Sequence, residues 1–277
     1  MHKSFLILLL LLSLISVHAS ARALQPSETS IVLLDRQEQA TTEITDGDTV
    51  RIQISFTSPV EALQNVVFTL DGAATVLGSC TVPDGKTSCT TDPFPALGWH
   101  WNSGGAAQSV QVIRASSAPG QPLIGSSQSI TVKPRPVVMV HGFISSWQTW
   151  NNYLTPGGFL ASLGLQGFAV GDGQVPGVLN TGVITNPPGR TNTLAQNAEI
   201  LGQYISGVKE KTGAEMVDLL VHSMGGMISR YYIDRVMQDR DVAQLIMLGS
   251  PMGGSDCSVL PAALGFYLPA SIEIRES

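Results

Sequence analysis

Between residues 31 and 132, the hydrophobic positions follow the two-residue period of half-buried strands. The clearest segment is DTVRIQISF, in which Val50, Ile52, Ile54 and Phe56 alternate with polar residues. Similar short segments follow, separated by Gly, Asp, Ser and Pro: NVVFTLDG, GWHWNSGG, QSVQVIRA and SQSITVKP. Many short strands without an amphipathic helix between them predict an antiparallel β-sandwich over residues 24–133.

The number and spacing of these strands predict a sandwich of the immunoglobulin-like type. We expect such a module to act as a spacer, a stabilising domain or a binding domain. Trp99 and Trp101 form either a pair at the core and rim of the sandwich or a platform for a sugar or a surface. The first interpretation is favoured.

The period of the pattern changes at KPRPVVMVHGF. Pro134 and Pro136 stiffen the chain into an extended form, so we interpret residues 134–136 as a linker. Residues 137–140 are then apolar without interruption, as expected for a strand that is covered on both faces. A second domain is therefore predicted from residue 137 to residue 277.

Strands and helices alternate in this second domain. Further strands are predicted at GFAVGDG (167–173), at 217–221 and at VAQLIMLGSP (242–251). A helix over 191–211 carries one apolar stripe, and a second helix is predicted over 224–237. The stripe consists of Leu194, Ala198, Leu201, Ile205 and Val208. This alternation without hairpin turns predicts an α/β domain with a mostly parallel sheet.

Composition excludes two classes of protein. A hydrophobic content of 43% and a charged content of 13% exclude a disordered chain. The formal net charge of −6 and the lack of any Lys/Arg cluster exclude a nucleic-acid partner.

Residues 1–21 have the pattern of a signal peptide. A short basic segment precedes an apolar run from Phe5 to Val17, and Ala19-Ser20-Ala21 has the small-x-small form of a cleavage site. The run is too short to span a bilayer comfortably. We therefore expect a secreted or periplasmic protein, with an uncleaved membrane anchor as the alternative.

Export permits disulfides, and Cys80 and Cys89 flank the turn sequence TVPDGKTS. A two-residue turn at Asp84-Gly85 would place the two cysteines opposite each other. Pro83 cannot donate the closing hydrogen bond, so a three-residue loop with a slipped register is the alternative. Either turn favours a Cys80–Cys89 disulfide, which leaves Cys257 without a partner.

A serine at the junction of strand and helix is the main candidate for chemistry. In VDLLVHSMGGMISRYYI (217–233), an apolar strand ends at His222 and a helical pattern begins directly after Ser223. Such a sharp reversal exposes the serine hydroxyl and requires small neighbours, which Gly225 and Gly226 supply. The backbone N–H of Met224 lies at the helix N-terminus, where negative charge is favoured.

A second N–H donor for a developing oxyanion is expected after the strand VVMV. There His141 and Gly142 turn the chain out of the strand, and the N–H of Phe143 is the candidate. Each such donor typically contributes about 3–4 kcal/mol of transition-state stabilisation.

Four motifs, HGF, GFAVGDGQVPG, LLVHSMGGMISRYYI and LGSPMGGSD, occur in this order between residues 136 and 256. Together they resemble the α/β-hydrolase fold in its bacterial lipase and esterase branch. The resemblance implies that Ser223 is the nucleophile and that Phe143 and Met224 form the oxyanion hole. It also implies that the elbow and its loop are supported by His222, Gly225, Gly226, His141 and Gly142. The chain departs from the family at Val221, where Gly or Ala is usual, and we expect the β-branched side chain to crowd the elbow.

The resemblance also implies a triad acid and a triad histidine after the serine, in that order. None of the five histidines follows Ser223. His2 and His18 belong to the signal peptide. We expect His222 to project away from Ser223, His141 to be structural and His100 to belong to the sandwich.

No aspartate is assigned as the triad acid. Asp234, Asp239 and Asp241 are interpreted as solvated charges, Asp256 comes one strand too early, and Asp172 is expected to shape a turn. Our hypothesis is that the chain is an N-terminal fragment, truncated before the acid and the histidine, and that it is inactive or nearly so. The nucleotide sequence past the last codon tests this.

The predicted function is therefore that of a secreted lipase or esterase, acting on a lipid or small ester through a serine acyl-enzyme. No cofactor and no metal site are predicted. Alternatives within the fold are an amidase, a thioesterase or a sterol esterase. An alternative of another class is a non-catalytic secreted protein whose sandwich contacts a surface or a glycan.

Overall fold

The computed structural model describes residues 29–70, 76–102, 104–125 and 127–275. They form a region of paired β-sheets followed by a region of one parallel sheet with helices. The predicted signal peptide, with His2 and His18, lies outside the described residues. Within these ranges, no helix has both the length and the apolar character that a bilayer-spanning segment needs.

Ten strands make up the first region. They are β1 (Thr29–Leu34), β2 (Ala40–Thr41), β3 (Glu43–Thr45), β4 (Thr49–Phe56), β5 (Gln64–Leu70), β6 (Val76–Val82), β7 (Ser88–Thr90), β8 (Phe94–Pro95), β9 (Val110–Ser116) and β10 (Gln128–Lys133). One sheet has the order β2-β1-β4-β7, with β8 also paired to β4, and the other has the order β3-β10-β9-β5-β6. All pairs are antiparallel except β3 with β10. This arrangement is sandwich-like; the immunoglobulin-like type remains a prediction.

The alternating residues of β4 are buried as predicted. Val50, Ile52, Ile54 and Phe56 point into one hydrophobic core shared by both sheets. Alternate residues face the two sides of a strand, so the remaining positions of β4 are only partly buried.

The strand predicted at GWHWNSGG is wrong. The segment turns at Gly98, whose φ of +80° excludes a strand conformation. The side chain of Asn102 then accepts hydrogen bonds from two following backbone N–H groups. Trp99 is 4% exposed and Trp101 is half-buried, which agrees with a pair at the core and rim.

The Cys80–Cys89 disulfide is confirmed, but the hairpin expected around it is wrong. Cys80 lies on β6, which pairs with β5, whereas Cys89 lies on β7, which pairs with β4 in the other sheet. The connecting turn bonds to Val60 through the N–H of Gly85 and the carbonyl of Lys86, so the chain crosses between the sheets. The disulfide therefore joins the two sheets.

The second region confirms the predicted parallel sheet. Its strands are β11 (Val137–Val140), β12 (Gly167–Ala169), β13 (Val217–His222) and β14 (Val242–Leu248). Their order is β12-β11-β13-β14, and every pair is parallel. Val138 and Val140 pack into one core cluster and Val137 and Met139 into another. Since alternate residues face opposite sides, the sheet is covered on both faces.

The helices are α1 (Asn151–Leu154), α2 (Phe159–Ser162), α3 (Leu194–Thr212), α4 (Met224–Tyr231), α5 (Val259–Ala263) and α6 (Ala270–Glu273). Single 3-10 turns occur at Trp147–Trp150 and Asp256–Ser258, and a π-helix over Tyr232–Val236 continues α4. Helix α3 buries the predicted apolar stripe from residue 198 to residue 208 against the sheet.

A buried ion network joins the two regions at residues 134–136. Nη1 of Arg135 lies 3.0 Å from Oδ2 of Asp46 in the sandwich, and its Nε lies 2.8 Å from Oδ1 of Asp218 on β13. The side chains of Arg135 and Asp46 are 4% and 0% exposed. Burial raises the pKa of Asp46, although the neighbouring Arg135 opposes this shift.

Candidate active site

Ser223 lies where β13 ends and α4 begins, in a strained backbone conformation. Its φ and ψ are +53° and −128°, a combination that residues other than glycine rarely adopt. The N–H of Ser223 donates to the carbonyl of Leu248 on β14, and its carbonyl accepts from the N–H of Gly226. The first bond attaches the turn to the carboxyl end of β14, and the second closes the turn itself.

Three glycines allow the close packing around this turn. A Cβ on Gly142 would lie 2.7 Å from Cβ of Ser223 and 3.2 Å from its Oγ. A Cβ on Gly225 would lie 2.6 Å from the carbonyl oxygen of Val140, and one on Gly226 only 2.0 Å from Oγ of Ser250. The structure therefore brings Gly142 directly against Ser223.

Val221 does not crowd the turn. Its side chain is fully buried in the core cluster, and it pairs in unbroken register with Val140 on one side and Met247 on the other. Both neighbouring strands keep their register, because the β-branched side chain points into the core.

The loop after β11 is held by hydrogen bonds at both of its ends. The carbonyl of Gly142 accepts from Oγ1 of Thr181 at 2.8 Å and from Nδ1 of His141 at 3.1 Å. The N–H of Ile144, whose φ is +44°, donates to the carbonyl of Thr181. Phe143 lies between these bonds. Thr181 was not predicted from the sequence, because it carries no motif and lies in an aperiodic loop.

The two N–H groups predicted to bind an oxyanion have no partner within the described ranges. The N–H of Phe143 makes no hydrogen bond there, and neither does that of Met224, the first residue of α4. The first N–H groups of a helix cannot bond within the helix and favour an anion. The site therefore offers two unsatisfied donors beside Ser223.

The C-terminal segment covers the ring of Phe143. The Tyr267 ring packs edge-on against it, with the ring centroids 5.4 Å apart. The N–H of Tyr267 donates to the carbonyl of Pro187, and Oγ1 of Thr191 accepts from the N–H of Ala270. These bonds tie the C-terminal segment to the long loop between β12 and α3, a contact that no pattern in the sequence predicts.

None of the histidines that the structure describes is hydrogen-bonded to Ser223. Nδ1 of His141 donates to the Gly142 carbonyl, since that oxygen can only accept, and burial lowers the pKa of this imidazole. His100 is buried in the sandwich, where its Nδ1 lies 2.8 Å from the carbonyl oxygen of Val132. His222 is exposed.

Two of the candidate aspartates, Asp172 and Asp234, have side-chain partners. Asp172 accepts from the N–H groups of Ala169 and Gln174 and from the Tyr204 hydroxyl, so it shapes the turn after β12. Asp234 pairs with Arg230 on the surface.

The interpretation of Asp241 as a solvated charge is wrong. Its carboxylate is only partly exposed, accepts from the Tyr232 hydroxyl at 2.7 Å and pairs with Lys209 on α3. Helix periodicity did not predict this contact, since Asp241 lies beyond α4, in the connection to β14.

Two further predictions concern metals and Cys257. No three His, Cys, Asp or Glu side chains within the described part of the chain are placed to hold a metal ion. Cys257 is exposed and forms no disulfide there.

The parallel sheet, the strand-turn-helix at Ser223 and the loop after β11 define an α/β-hydrolase-like domain. A family comparison agrees: residues 191–269 match the model of the PGAP1-like alpha/beta domain, a family of α/β-hydrolase type. The match begins just before α3 and ends just before α6, so it contains Ser223.

Among solved structures, the chain is similar to the Bacillus licheniformis lipase BlEst2 in mature form, with 19% identity and a TM-score of 0.38, over 51% of this chain and 54% of the lipase. The chain thus spans about half of that protein. A β-glucosidase from Listeria innocua matches with 12% identity and a TM-score of 0.23, over 38% of this chain and 16% of the enzyme. A sialyltransferase from Photobacterium damsela matches with 10% identity and a TM-score of 0.20, over 73% of this chain and 40% of the enzyme.

Proposed function

We propose that this domain is a serine hydrolase of carboxylic esters, with Ser223 as its nucleophile. The observation that carries the proposal is the strained position of Ser223 against Gly142, beside the unpartnered N–H groups of Phe143 and Met224. Backbone strain persists only where the surrounding structure enforces it, and it clusters at functional sites. Here it presents a hydroxyl next to two free donors.

In the proposed reaction, Oγ of Ser223 attacks the ester carbonyl carbon, and its proton passes to a base in solution such as imidazole. The carbonyl oxygen becomes an oxyanion that accepts hydrogen bonds from Phe143 and Met224. The C–O bond to the alcohol then breaks, and the protonated base donates its proton to the leaving alcohol. Water next adds to the acyl carbon, which releases the carboxylic acid and restores the Ser223 hydroxyl. Because no described histidine bonds to Ser223, we expect the unassisted reaction of this chain to be slow.

Exposed apolar side chains support a lipid or small ester as the substrate. The loop between β12 and α3 exposes Val183 and Ile184, and the C-terminal segment exposes Leu264 and Phe266. These two segments meet at Tyr267, whose ring packs on Phe143. Exposed apolar surface beside a polar centre suits an acyl chain.

Secretion is part of the proposal. The Cys80–Cys89 disulfide supports it, since such bonds persist in oxidising compartments. So does the signal-peptide pattern of residues 1–21, which lie outside the described residues.

Imidazole supplied in solution tests the proposed nucleophile. We expect hydrolysis of short p-nitrophenyl esters to rise with the concentration of neutral imidazole in the wild-type chain, because imidazole can take the proton of Ser223. The matched controls are Ser223→Ala, measured in the same buffers, and Ser146→Ala, an exposed serine of the neighbouring loop. The proposal fails if Ser223→Ala and wild type respond alike.

The length of the acyl chain is tested on the same protein. Hydrolysis rates are measured on p-nitrophenyl esters of increasing acyl length and on emulsified triacylglycerol, which distinguishes a small-ester substrate from a lipid substrate. We expect the imidazole-dependent rate to rise with acyl length, since the exposed apolar side chains lie on the segments beside Phe143. A rate that falls steadily with acyl length would contradict a lipid substrate.

A further inference from the structure

Thr181 makes two hydrogen bonds to the loop that carries Phe143. It lies in the loop between β12 and α3 and is 1% exposed. Its hydroxyl donates to the carbonyl of Gly142 at 2.8 Å, and its own carbonyl accepts from the N–H of Ile144 at 3.0 Å. One residue therefore holds the chain immediately before and immediately after Phe143.

The first of these bonds bears on the direction of the Phe143 N–H. The carbonyl of Gly142 and the N–H of Phe143 belong to one trans peptide, in which the two groups point in opposite directions. Drawing the carbonyl towards Thr181 therefore turns the N–H away from Thr181. That N–H has no partner in the described part of the chain.

The neighbouring residues leave this peptide little freedom. Nδ1 of His141 is a second donor to the Gly142 carbonyl. A Cβ on Gly182 would lie 2.8 Å from the Tyr267 ring and 3.2 Å from Ile144, so the turn after Thr181 is tightly packed. Gly142 itself is packed against Ser223 on its other side.

We propose that Thr181 is a positioning residue whose hydroxyl sets the orientation of the Gly142–Phe143 peptide, so that the Phe143 N–H faces the oxyanion site. This inference rests on the proposed function of Ser223 and Phe143. Thr181 itself does not touch the substrate; it acts through the peptide. A buried donor aimed at a buried carbonyl in this way preorganises the site before substrate arrives.

The test compares variants that differ in the hydroxyl. Thr181→Val and Thr181→Ala remove it, whereas Thr181→Ser keeps it and serves as the matched control. Two quantities are measured on the full chain. Crystal structures give the orientation of the Gly142–Phe143 peptide. Phosphonylation by a fluorophosphonate probe in imidazole buffer gives the maximal rate and the half-saturating probe concentration.

We expect the peptide to rotate in Thr181→Val and Thr181→Ala and to keep its orientation in Thr181→Ser. The maximal phosphonylation rate should fall about 10- to 100-fold in the first two variants, since the donor is misaligned rather than removed. The half-saturating concentration should stay unchanged, because the donor acts on the transition state. If the loss of rate came from a general loss of structure, Thr181→Ser would not keep both the peptide orientation and the phosphonylation rate of wild type.

The possible failures are distinguishable. An unrotated peptide in Thr181→Val and Thr181→Ala overturns the inference whatever the rates are. A rotated peptide with unchanged phosphonylation of Ser223 also overturns it, because the orientation would then not matter. If wild type is not phosphonylated at Ser223 at all, the proposed function fails, while the crystal structures still decide whether Thr181 orients the peptide.

Discussion

Ser223 and Gly142 are in contact at the centre of the site, and each restricts the other. Ser223 has a positive φ. The Cβ of Ser223 occupies the space that a side chain at residue 142 would need. An N–H donor beside the nucleophile therefore requires glycine at position 142.

Gly142→Ala tests this contact. The added Cβ would lie 2.7 Å from Cβ of Ser223, a distance at which one of the two must move. We expect the imidazole-dependent rate of ester hydrolysis to fall at least about 100-fold, as when an oxyanion donor is lost. Gly253→Ala is the control, because a Cβ there meets no atom within 4 Å and the backbone has no positive φ. Equal rates for the two variants would contradict the account.

His141 should make stability depend on pH. Burial lowers the pKa of the folded imidazole below its ordinary value of 6.5. As the pH falls below about 6.5, the unfolded chain therefore binds a proton that the folded chain does not, and the free energy of unfolding decreases.

The measurement for His141 is urea unfolding of wild type and His141→Asn between pH 7.5 and pH 5. Asparagine does not titrate, so the difference in stability between the two proteins isolates the imidazole. We expect wild type to lose stability relative to the variant as the pH falls. A difference that is constant with pH would show that His141 is not the source.

At the scale of residues, the sequence predicted a chain reversal at Ser223 but not what orients its surroundings. A strand, a serine and two glycines in succession have a local signature. Thr181 and Tyr267 have none, because their contacts with residues 142–144 join distant parts of the chain through aperiodic loops.

At the scale of elements, α3 depends on a defined start. The Thr193 hydroxyl accepts from the N–H of Gln196, and the Gln196 side chain accepts from the N–H of Thr193, which is a complete capping box. The N–H of Leu194 donates to Glu273 on α6, so this end of α3 also anchors the C-terminal segment.

Thr193→Ala should lower the free energy of unfolding by about 1 kcal/mol, since it removes the cap acceptor. Thr193→Ser retains the hydroxyl and is the control. Urea denaturation of both variants measures the effect. Equal stability of Thr193→Ala and wild type would show that the box contributes nothing.

The parallel strands were predictable because both faces of their sheet are buried. A strand in such a sheet is apolar at every position, as VVMV is. GWHWNSGG was mistaken for a strand because buried aromatic residues can also sit in a turn, as Trp99 does. The Cys80–Cys89 disulfide was predictable from proximity in the chain, but its position between two sheets depends on pairing that short-range patterns do not encode.

At the scale of the whole molecule, the sandwich and the hydrolase-like domain share a buried charge network. Arg135 bonds to Asp46 on one side and to Asp218 on the other. A second contact lies beside it, where Thr49 and Asp48 of the sandwich bond to Glu215. Pro134 and Pro136 marked a boundary in the sequence, but the partners of Arg135 are more than 80 residues away on either side.

Arg135→Ala should lower the free energy of unfolding by about 3–5 kcal/mol, because it leaves the buried carboxylate of Asp46 without its cation. The control is Arg230→Ala at the exposed pair with Asp234, where we expect at most about 1 kcal/mol. The triple variant Arg135→Met, Asp46→Asn, Asp218→Asn should recover most of the loss. Thermal and urea unfolding measure all three. Similar losses in Arg135→Ala and Arg230→Ala would contradict a buried network.

The claim on which the whole account depends is that the Ser223 hydroxyl is the reactive group. Its most direct measurement is peptide mapping by mass spectrometry after treatment with a fluorophosphonate in imidazole buffer. We predict one phosphonyl adduct, on Ser223, that disappears in Ser223→Ala. An adduct on another residue, or equal adducts in wild type and Ser223→Ala, would contradict the account.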